Sequence, residues 1–399
     1  MTSSIFNSLG ANYDQDFRTL SRQLLFSTLQ PTSSSTSQLI SDIEATFLGK
    51  AQLFYKARQA ITWSLKALGI KSGDHILTQA FTCYAVEEGI NAAGAIPAFV
   101  DTELDSLNLS TRTLQATLNN YPRAKAVIVQ HTLGEIAPIK SIANWCHKHK
   151  LLLIEDLAHS YGALDPDGRP VGYYADAVIL SFGRDKMVDA ISGGAAIIKN
   201  LVVDLPFTKS LSTKQIYTDL LYPQETHLLQ QSANNIFGKL IHRLLKKTPL
   251  LTTPIKSSTS QLTTLPAPHA QLVLHQLATL GKQLLHRQKI ARLYTKHLSS
   301  NPQIKLLPSP SVYLRFPIIV DNRHQLLNFL KQQRVFIADT WYRQPVETGS
   351  LKHVTSSYVT GTCPQAEYLS SHIINLPTHI NITKTSALRL TKLINQFYA

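Results

Sequence analysis

The sequence predicts an α/β protein whose larger part is a doubly wound, mainly parallel sheet, followed by a smaller C-terminal α+β unit. Three observations carry this expectation. Between about residues 53 and 200, short apolar runs rich in Val, Ile and Leu alternate with helical patterns; such alternation builds strand–helix–strand crossovers and so parallel strands. His131, Asp156, Ser181 and Lys186 all fall at or just past the ends of these runs, and open parallel sheets hold ligands beyond the carboxyl ends of their strands. The last hundred residues change rhythm, with strand and helix patterns that read as a separate unit.

Taken in order, the chain opens with a mixed stretch to about Leu29, whose Phe6, Tyr13, Phe17 and Phe26 are expected to pack on the main body. Pro31 to Ser37 reads as a Ser/Thr-rich linker; Thr36 or Ser37 then caps a helix with Leu39, Ile40, Ile43 and Phe47 on one face, stopped by Gly49. A strand ending near Phe54 leads into a helix with Ile61, Leu65 and Leu68 on its apolar face, closed by Gly69. The unpaired amides at such a helix start form an anion site, to which Arg58 adds charge. Strands follow at 73–79, 96–101, 124–130 and 151–156, with helices ending near Gly94 and spanning about 139 to 149.

From Leu201 to Leu265 the pattern loosens. Within it, Ile236 to Lys247 is a basic amphipathic helix that buries its stripe in the protein, covers a groove or lies on a membrane surface. Pro266-Ala-Pro268 starts a long helix to about Leu298, suited to bridging two units. Strands at 312–320, 335–338 and 373–379, with helices from Arg323, Cys363 and near the C-terminus, complete the second unit. The expected division is therefore 1–265 and 266–399, with 201–265 as a variable region of the first.

At 399 residues, 44% of them hydrophobic, the chain is long enough for two domains. It has no apolar run long enough to span a bilayer, and its start lacks a basic region followed by an apolar one. Cys83, Cys146 and Cys363 are far apart and odd in number, which argues against a disulfide framework and for a reducing, cytoplasmic setting. Cys146-His147-Lys-His149 has no second Cys/His pair to complete a metal set and reads as a solvated helix end. The formal charge of +14 is spread along the chain rather than gathered in a stripe with aromatics. That disfavours nucleic acid; the charge either attracts diphosphate-bearing substrates or has no function of its own.

The chemistry concentrates in Ser181-Phe-Gly-Arg-Asp-Lys186, which leaves one buried run at Ala177–Leu180 and reaches Gly193-Gly194 before the next. A lysine kept near a core loses its proton readily and becomes an amine nucleophile, as in Schiff-base enzymes. Together with Ile154-Glu-Asp156-Leu-Ala-His159-Ser-Tyr-Gly162, His131-Thr-Leu-Gly134 and Asn375-Leu-Pro-Thr-His379, this loop resembles the DegT/DnrJ/EryC1/StrS family of sugar aminotransferases. The resemblance runs from about Phe54 to the C-terminus.

It implies an aspartate-aminotransferase-like fold (type I of the pyridoxal-phosphate folds), the cofactor pyridoxal 5'-phosphate, and a homodimer with active sites at the subunit boundary. By the same resemblance, Lys186 would bind the cofactor covalently and move the proton, and Asp156 would pair with the pyridine nitrogen. His159 would lie near the ring oxygen. Ser181 would donate to the phosphate, assisted by the backbone amides of Gln59 and Ala60 near Arg58. Two departures stand out: Cys83, with Tyr84 beside it, occupies a slot usually held by an aromatic ring over the cofactor. Leu262-Thr263-Thr264-Leu265 stands where relatives carry an Asn and an Arg that reach the neighbouring subunit's phosphate, a contact that Lys256 or another residue would have to supply.

The implied activity is transfer of an amino group from an amino-acid donor, glutamate or glutamine, to a nucleotide-linked keto-sugar in polysaccharide or glycan biosynthesis. A sugar dehydratase is disfavoured by Lys186, since the matching lysine is a histidine there. A non-catalytic binding or regulatory protein on the same fold is the alternative from another class.

Overall fold

The computed structural model describes residues 4–27, 33–200, 208–232, 261–307, 312–337, 341–349 and 354–399. The basic stretch Ile236 to Lys247, and Lys256, lie outside the described residues. In chain order the elements are β1 (Ile5–Phe6), α1 (Gln15–Ser27), α2 (Ser33–Phe47), β2 (Lys50–Phe54), α3 (Ala57–Ala67), β3 (His75–Gln79), α4 (Tyr84–Ala92), β4 (Ile96–Val100), α5 (Thr111–Leu118), β5 (Ala124–Gln130), α6 (Ile139–His149), β6 (Leu152–Asp156), β7 (Ala177–Ser181) and β8 (Gly194–Ile198). Then come α7 (Thr213–Ser232), α8 (Ala267–Leu298), β9 (Lys305–Leu306), β10 (Arg315–Ile319), α9 (Arg323–Gln332), β11 (Val335–Phe336), α10 (Pro364–His372), β12 (Ile373–Pro377) and α11 (Lys384–Tyr398).

Seven strands form the main sheet in the order β2-β8-β7-β6-β5-β3-β4. Strands β7, β6, β5, β3 and β4 are parallel, whereas β8 runs antiparallel to both β7 and β2. The reason is the connection: residues 182–193 contain no helix, and a parallel return needs a crossover of a dozen or more residues, usually helical. The expected main-sheet strands therefore form, with one of the seven, β8, reversed in direction between β7 and the edge strand β2.

Alternation along the central strands divides the core. Ile76, Ile128, Ile154 and Ile179 join Ile61 and Leu65 of α3 on one face. Leu77, Val127, Val129 and Leu153 join Leu114 of α5 and Ile142 of α6 on the other. At about 25 cal/mol for each Å² of apolar surface, each such side chain contributes roughly 1.5–3 kcal/mol when fully buried. Helix α2 begins inside the stretch read as a linker, and Phe26, expected to pack inward, is 80% exposed.

The second unit is an antiparallel sheet in the order β12-β10-β9, with a core shared by α9, α11 and the distal part of α8. Leu272 and Val273 of α8 pack in the large core while Ile290, Tyr294 and Leu298 pack in the small one, so this helix bridges the two. The start of the chain crosses over as well: β1 pairs in parallel with β11. Among the described residues no helix is long and apolar enough to cross a membrane. The cysteines are unpaired, and no group of three or more potential ligands could hold a metal ion among the described residues.

Candidate active site

Strand β7 ends at Ser181 and the chain returns as β8 through an irregular loop that carries Lys186. Two non-glycine residues of this loop, Asp185 (φ 62) and Ile191 (φ 71), are left-handed, which costs on the order of 1–2 kcal/mol each. Asp189, 1% exposed, offsets part of that cost: its Oδ2 accepts the Asp185 N–H at 2.9 Å and its Oδ1 the Ile191 N–H at 3.0 Å.

Lys186 Nζ lies 3.0 Å from His159 Nε2 and 4.3 Å from the centroid of Trp341. His159 Nδ1 accepts the Leu133 N–H at 3.2 Å, so the proton of the neutral imidazole sits on Nε2 and points at the lysine. Burial holds the His159 pKa well below its ordinary value, helped by Lys186 and Arg315. An Nε2–H donor needs a lone pair to meet, which only the neutral amine offers. Consistent with this, burial lowers the Lys186 pKa, while Cys83, Asp156 and Asp185 oppose the shift. The site thus holds an amine poised to lose its proton and act as a nucleophile.

Asp156, at the carboxyl end of β6, has its Oδ1 bonded to the Ala158 N–H at 2.9 Å. Burial raises its pKa, and the Ala158 bond, Lys186 and His131 pull the other way. His131 lies near enough to act on Asp156, but its ring nitrogens are engaged elsewhere. It pairs through Nε2 with Glu155 Oε2 at 3.0 Å and accepts the Ala137 N–H on Nδ1. Glu155 and Asp156 point to opposite faces because side chains alternate along a strand.

Ser181 is paired across the sheet with Gly194, and Lys56, just before α3, bridges to Gly193. A Cβ on Gly194 would come within 2.5 Å of the Ala57 Cα, so glycine is required for the start of α3 to approach the end of β7. No side chain caps α3. The Gln59 N–H donates to the Lys56 carbonyl at 3.0 Å, and the Gln59 side chain donates to the Gln261 carbonyl at 2.7 Å. Ala60 is fully buried in the first turn. Arg58 is close by, but its guanidinium pairs with Glu88 of α4, which neutralises part of its charge. The stretch standing in for the missing Asn/Arg pair lies alongside: the Tyr55 N–H donates to the Thr263 carbonyl at 2.8 Å.

Of the two candidates at the start of α4, Cys83 is half-buried and near enough to influence Lys186. Tyr84 sits instead among Glu87, Glu88 and Arg58. The aromatic surface beside the lysine comes from elsewhere. Trp341 stacks on His159 with centroids 4.7 Å apart, and Tyr342 is fully buried behind it. Asn375 donates to the Trp341 carbonyl, and Arg315 of β10 lies 5.5 Å from the indole and 3.6 Å from Asp185. Trp341 and Arg315 join the site from more than a hundred residues beyond Lys186, and no local pattern marks them. A Trp-Tyr pair in an otherwise polar stretch was the available hint.

A family model described as the DegT/DnrJ/EryC1/StrS aminotransferase family matches residues 53–203 and 258–395. The chain is 31% identical over 144 residues to a GDP-perosamine synthase of Vibrio cholerae, an alignment covering 36% of this chain and 38% of the relative. The first curated relatives are all matched over less than two thirds of their own length. Among solved structures, DesV of S. venezuelae in complex with a ketimine intermediate superposes with a TM-score of 0.76 at 20% identity, covering 100% of this chain and 99% of that one. A putative sugar aminotransferase of Streptococcus pneumoniae, solved in its PLP-form, does so with 0.73 at 17% identity, covering 99% and 100%. With its family model spanning well over half of the sequence, and its large mixed α/β sheet matching these neighbours, the chain belongs to the DegT/DnrJ/EryC1/StrS aminotransferase family.

Proposed function

We propose that this protein is a pyridoxal-phosphate-dependent aminotransferase that moves an amino group from an amino-acid donor to a keto-sugar. The single observation that carries the reading is the Lys186 amine at the carboxyl edge of the sheet, 3.0 Å from His159 Nε2, with its pKa lowered by burial against the pull of the nearby Asp156. The residues fit the cofactor. They offer one nucleophilic amine for its aldehyde, one acid for its pyridine nitrogen, and a serine beside an uncapped helix start for its phosphate. Bound there, pyridoxal phosphate supplies an electron sink for the bonds at the donor's α-carbon.

In this reading Asp156 would favour a protonated ring nitrogen through the negative charge of its carboxylate, which the Ala158 N–H helps to hold against burial. Lys186 would hold the cofactor through its amine and, when free, would serve as the general base that moves a proton at the donor's α-carbon. His159 orients the lysine through Nε2–H and is itself fixed by the Leu133 amide. Trp341 packs over His159 and the amine. Cys83 and the amides around Arg58, Gln59 and Ala60 line the remaining edge. The acceptor is proposed to be a nucleotide-linked keto-sugar, which the name of the Vibrio cholerae relative, GDP-perosamine synthase, supports, and the donor glutamate or glutamine, as a Micromonospora echinospora relative is named a putative L-glutamine-dependent aminotransferase. The high positive charge suits a diphosphate-bearing substrate. A homodimer in the cytoplasm belongs to the same proposal.

The test is reductive trapping. Protein loaded with pyridoxal phosphate and treated with borohydride should carry an irreversible label on Lys186 that disappears in Lys186→Ala. Amino transfer from L-glutamate or L-glutamine to GDP- and dTDP-linked keto-sugars is then assayed. Absence of the label in the wild type refutes the reading.

A further inference from the structure

The catalytic loop is held from outside by a segment the family model does not cover. Residues 5–13 precede the matched region, which begins at 53, yet they make the closest polar contacts to the lysine's own backbone. Asn12 donates through Nδ2 to the Lys186 carbonyl at 3.1 Å and to Asp189 Oδ2 at 3.3 Å. Tyr13 donates its hydroxyl to Asp189 Oδ1 at 2.7 Å. With the Asp185 and Ile191 amides, both oxygens of Asp189 are thereby doubly bonded. Asn12 and Tyr13 are each 1% exposed.

The other side of Asn12 faces the rest of the molecule. Its Oδ1 accepts from the Arg287 guanidinium at 2.7 Å, and Arg287, on the bridging helix α8, also donates to the Leu314 carbonyl and Thr378 Oγ1 of the small unit. The same arm is tied to that unit by Asn7 on the Asn375 carbonyl, His379 on the Phe6 carbonyl and Asn381 on the Ala11 carbonyl. One buried amide therefore joins the lysine backbone, the bridging helix and, through them, the small unit.

We infer that Asn12, with Tyr13, is a positioning residue for Lys186, and that the N-terminal arm sets where the amine stands. The argument is geometric. The loop has no helix or strand of its own and two residues in the left-handed region; beyond its internal turns, such as the Lys186 N–H on the Gly183 carbonyl and the Ala190 N–H on the Phe182 carbonyl, the backbone around the lysine is gripped by Asp189 and Asn12. An error at the Lys186 Cα passes along the side chain to Nζ, and misplacement of a reacting group by an ångström is costly. The Asn12 donor also leaves the half-buried Lys186 carbonyl satisfied, so the loop gains nothing by turning it elsewhere.

This inference rests on the reading of Lys186 as the residue that binds pyridoxal phosphate, and the experiment separates the two. Wild type, Asn12→Ala, Tyr13→Phe and Asn381→Ala are stripped and titrated with pyridoxal phosphate. The absorbance of the lysine-bound cofactor is then followed against pH, and thermal midpoints are recorded. Asn381→Ala loosens the arm from the small unit but leaves both loop contacts. The expected result is that Asn12→Ala and Tyr13→Phe move the pH midpoint by about half a unit or more and weaken cofactor retention about fivefold. Asn381→Ala should keep the wild-type midpoint. Tyr13→Phe removes a single hydroxyl and serves where Asn12→Ala does not fold. Unchanged midpoints in the loop variants, with only lower melting temperatures, overturn the inference, as does an equal shift in Asn381→Ala. A wild type that binds no cofactor overturns the underlying reading instead.

Discussion

Replacing His159 tests the tautomer argument on which the neutral lysine depends. In His159→Leu the Leu133 amide loses its acceptor, at 3.2 Å, while remaining buried in a turn with φ 57. An unsatisfied buried donor costs about 1–3 kcal/mol. Loss of the stack on Trp341, with centroids 4.7 Å apart, adds about 0.5–1.5 kcal/mol. Together these come to about 1.5–4.5 kcal/mol. His159→Gln keeps a carbonyl for Leu133 and an N–H for the lysine, and should cost about 1 kcal/mol. Urea unfolding without added ligand reads the difference, provided the slope with denaturant is unchanged. The leucine variant should also raise the Lys186 pKa, because the donor that favours the neutral amine is gone; the pH dependence of its acylation reports this. A leucine variant as stable as the glutamine one, or a lysine that titrates unchanged, would refute the reasoning.

His379, 3% exposed, is pushed down by burial to about 3. Its folded pKa lies below the unfolded one, so stability is full above about 6.5 and falls as pH drops toward 3; at pH 5 the loss is about 2 kcal/mol. His379→Asn should flatten that fall in urea midpoints measured from pH 7 to 4.5, and a wild-type profile already flat there contradicts the assignment. Gly194→Ala drives a Cβ against the Ala57 backbone; a cost of about 1–3 kcal/mol is expected, with weaker pyridoxal-phosphate retention by equilibrium dialysis. Asp156→Asn should cut amino transfer at least about a hundredfold. Its urea midpoint should stay level or rise, since burial already disfavours that carboxylate. A variant that unfolds more easily would mean the acid is kept for stability.

Much of the fold could be read locally. Strands β3 to β7 and helices α3, α6, α8 and α9 lie where apolar period and stop signals put them, because each side chain's burial there follows from its own repeat. The departures have local causes too. Helix α2 starts early, and β8 turns back antiparallel because the loop before it is too irregular to cross over. In the site, Asp156, His159, Ser181 and Lys186 were legible because they terminate or immediately follow predicted strands. The aromatic cover was not, and the slot after Thr82 is filled by a thiol while the ring beside the lysine comes from Trp341.

By itself the sequence determined which residues could carry the chemistry: an amine, an acid and a hydroxyl, each placed at a strand end by short-range pattern. Only the tertiary structure decided their condition. Whether Lys186 is charged depends on the burial and neighbours supplied by His159, Trp341 and Arg315, and whether its backbone is fixed depends on Asn12, some 174 residues earlier. Electrostatic shifts and hydrogen bonds act through space at a few ångströms, so their strength is set by packing that no local stretch of the chain records.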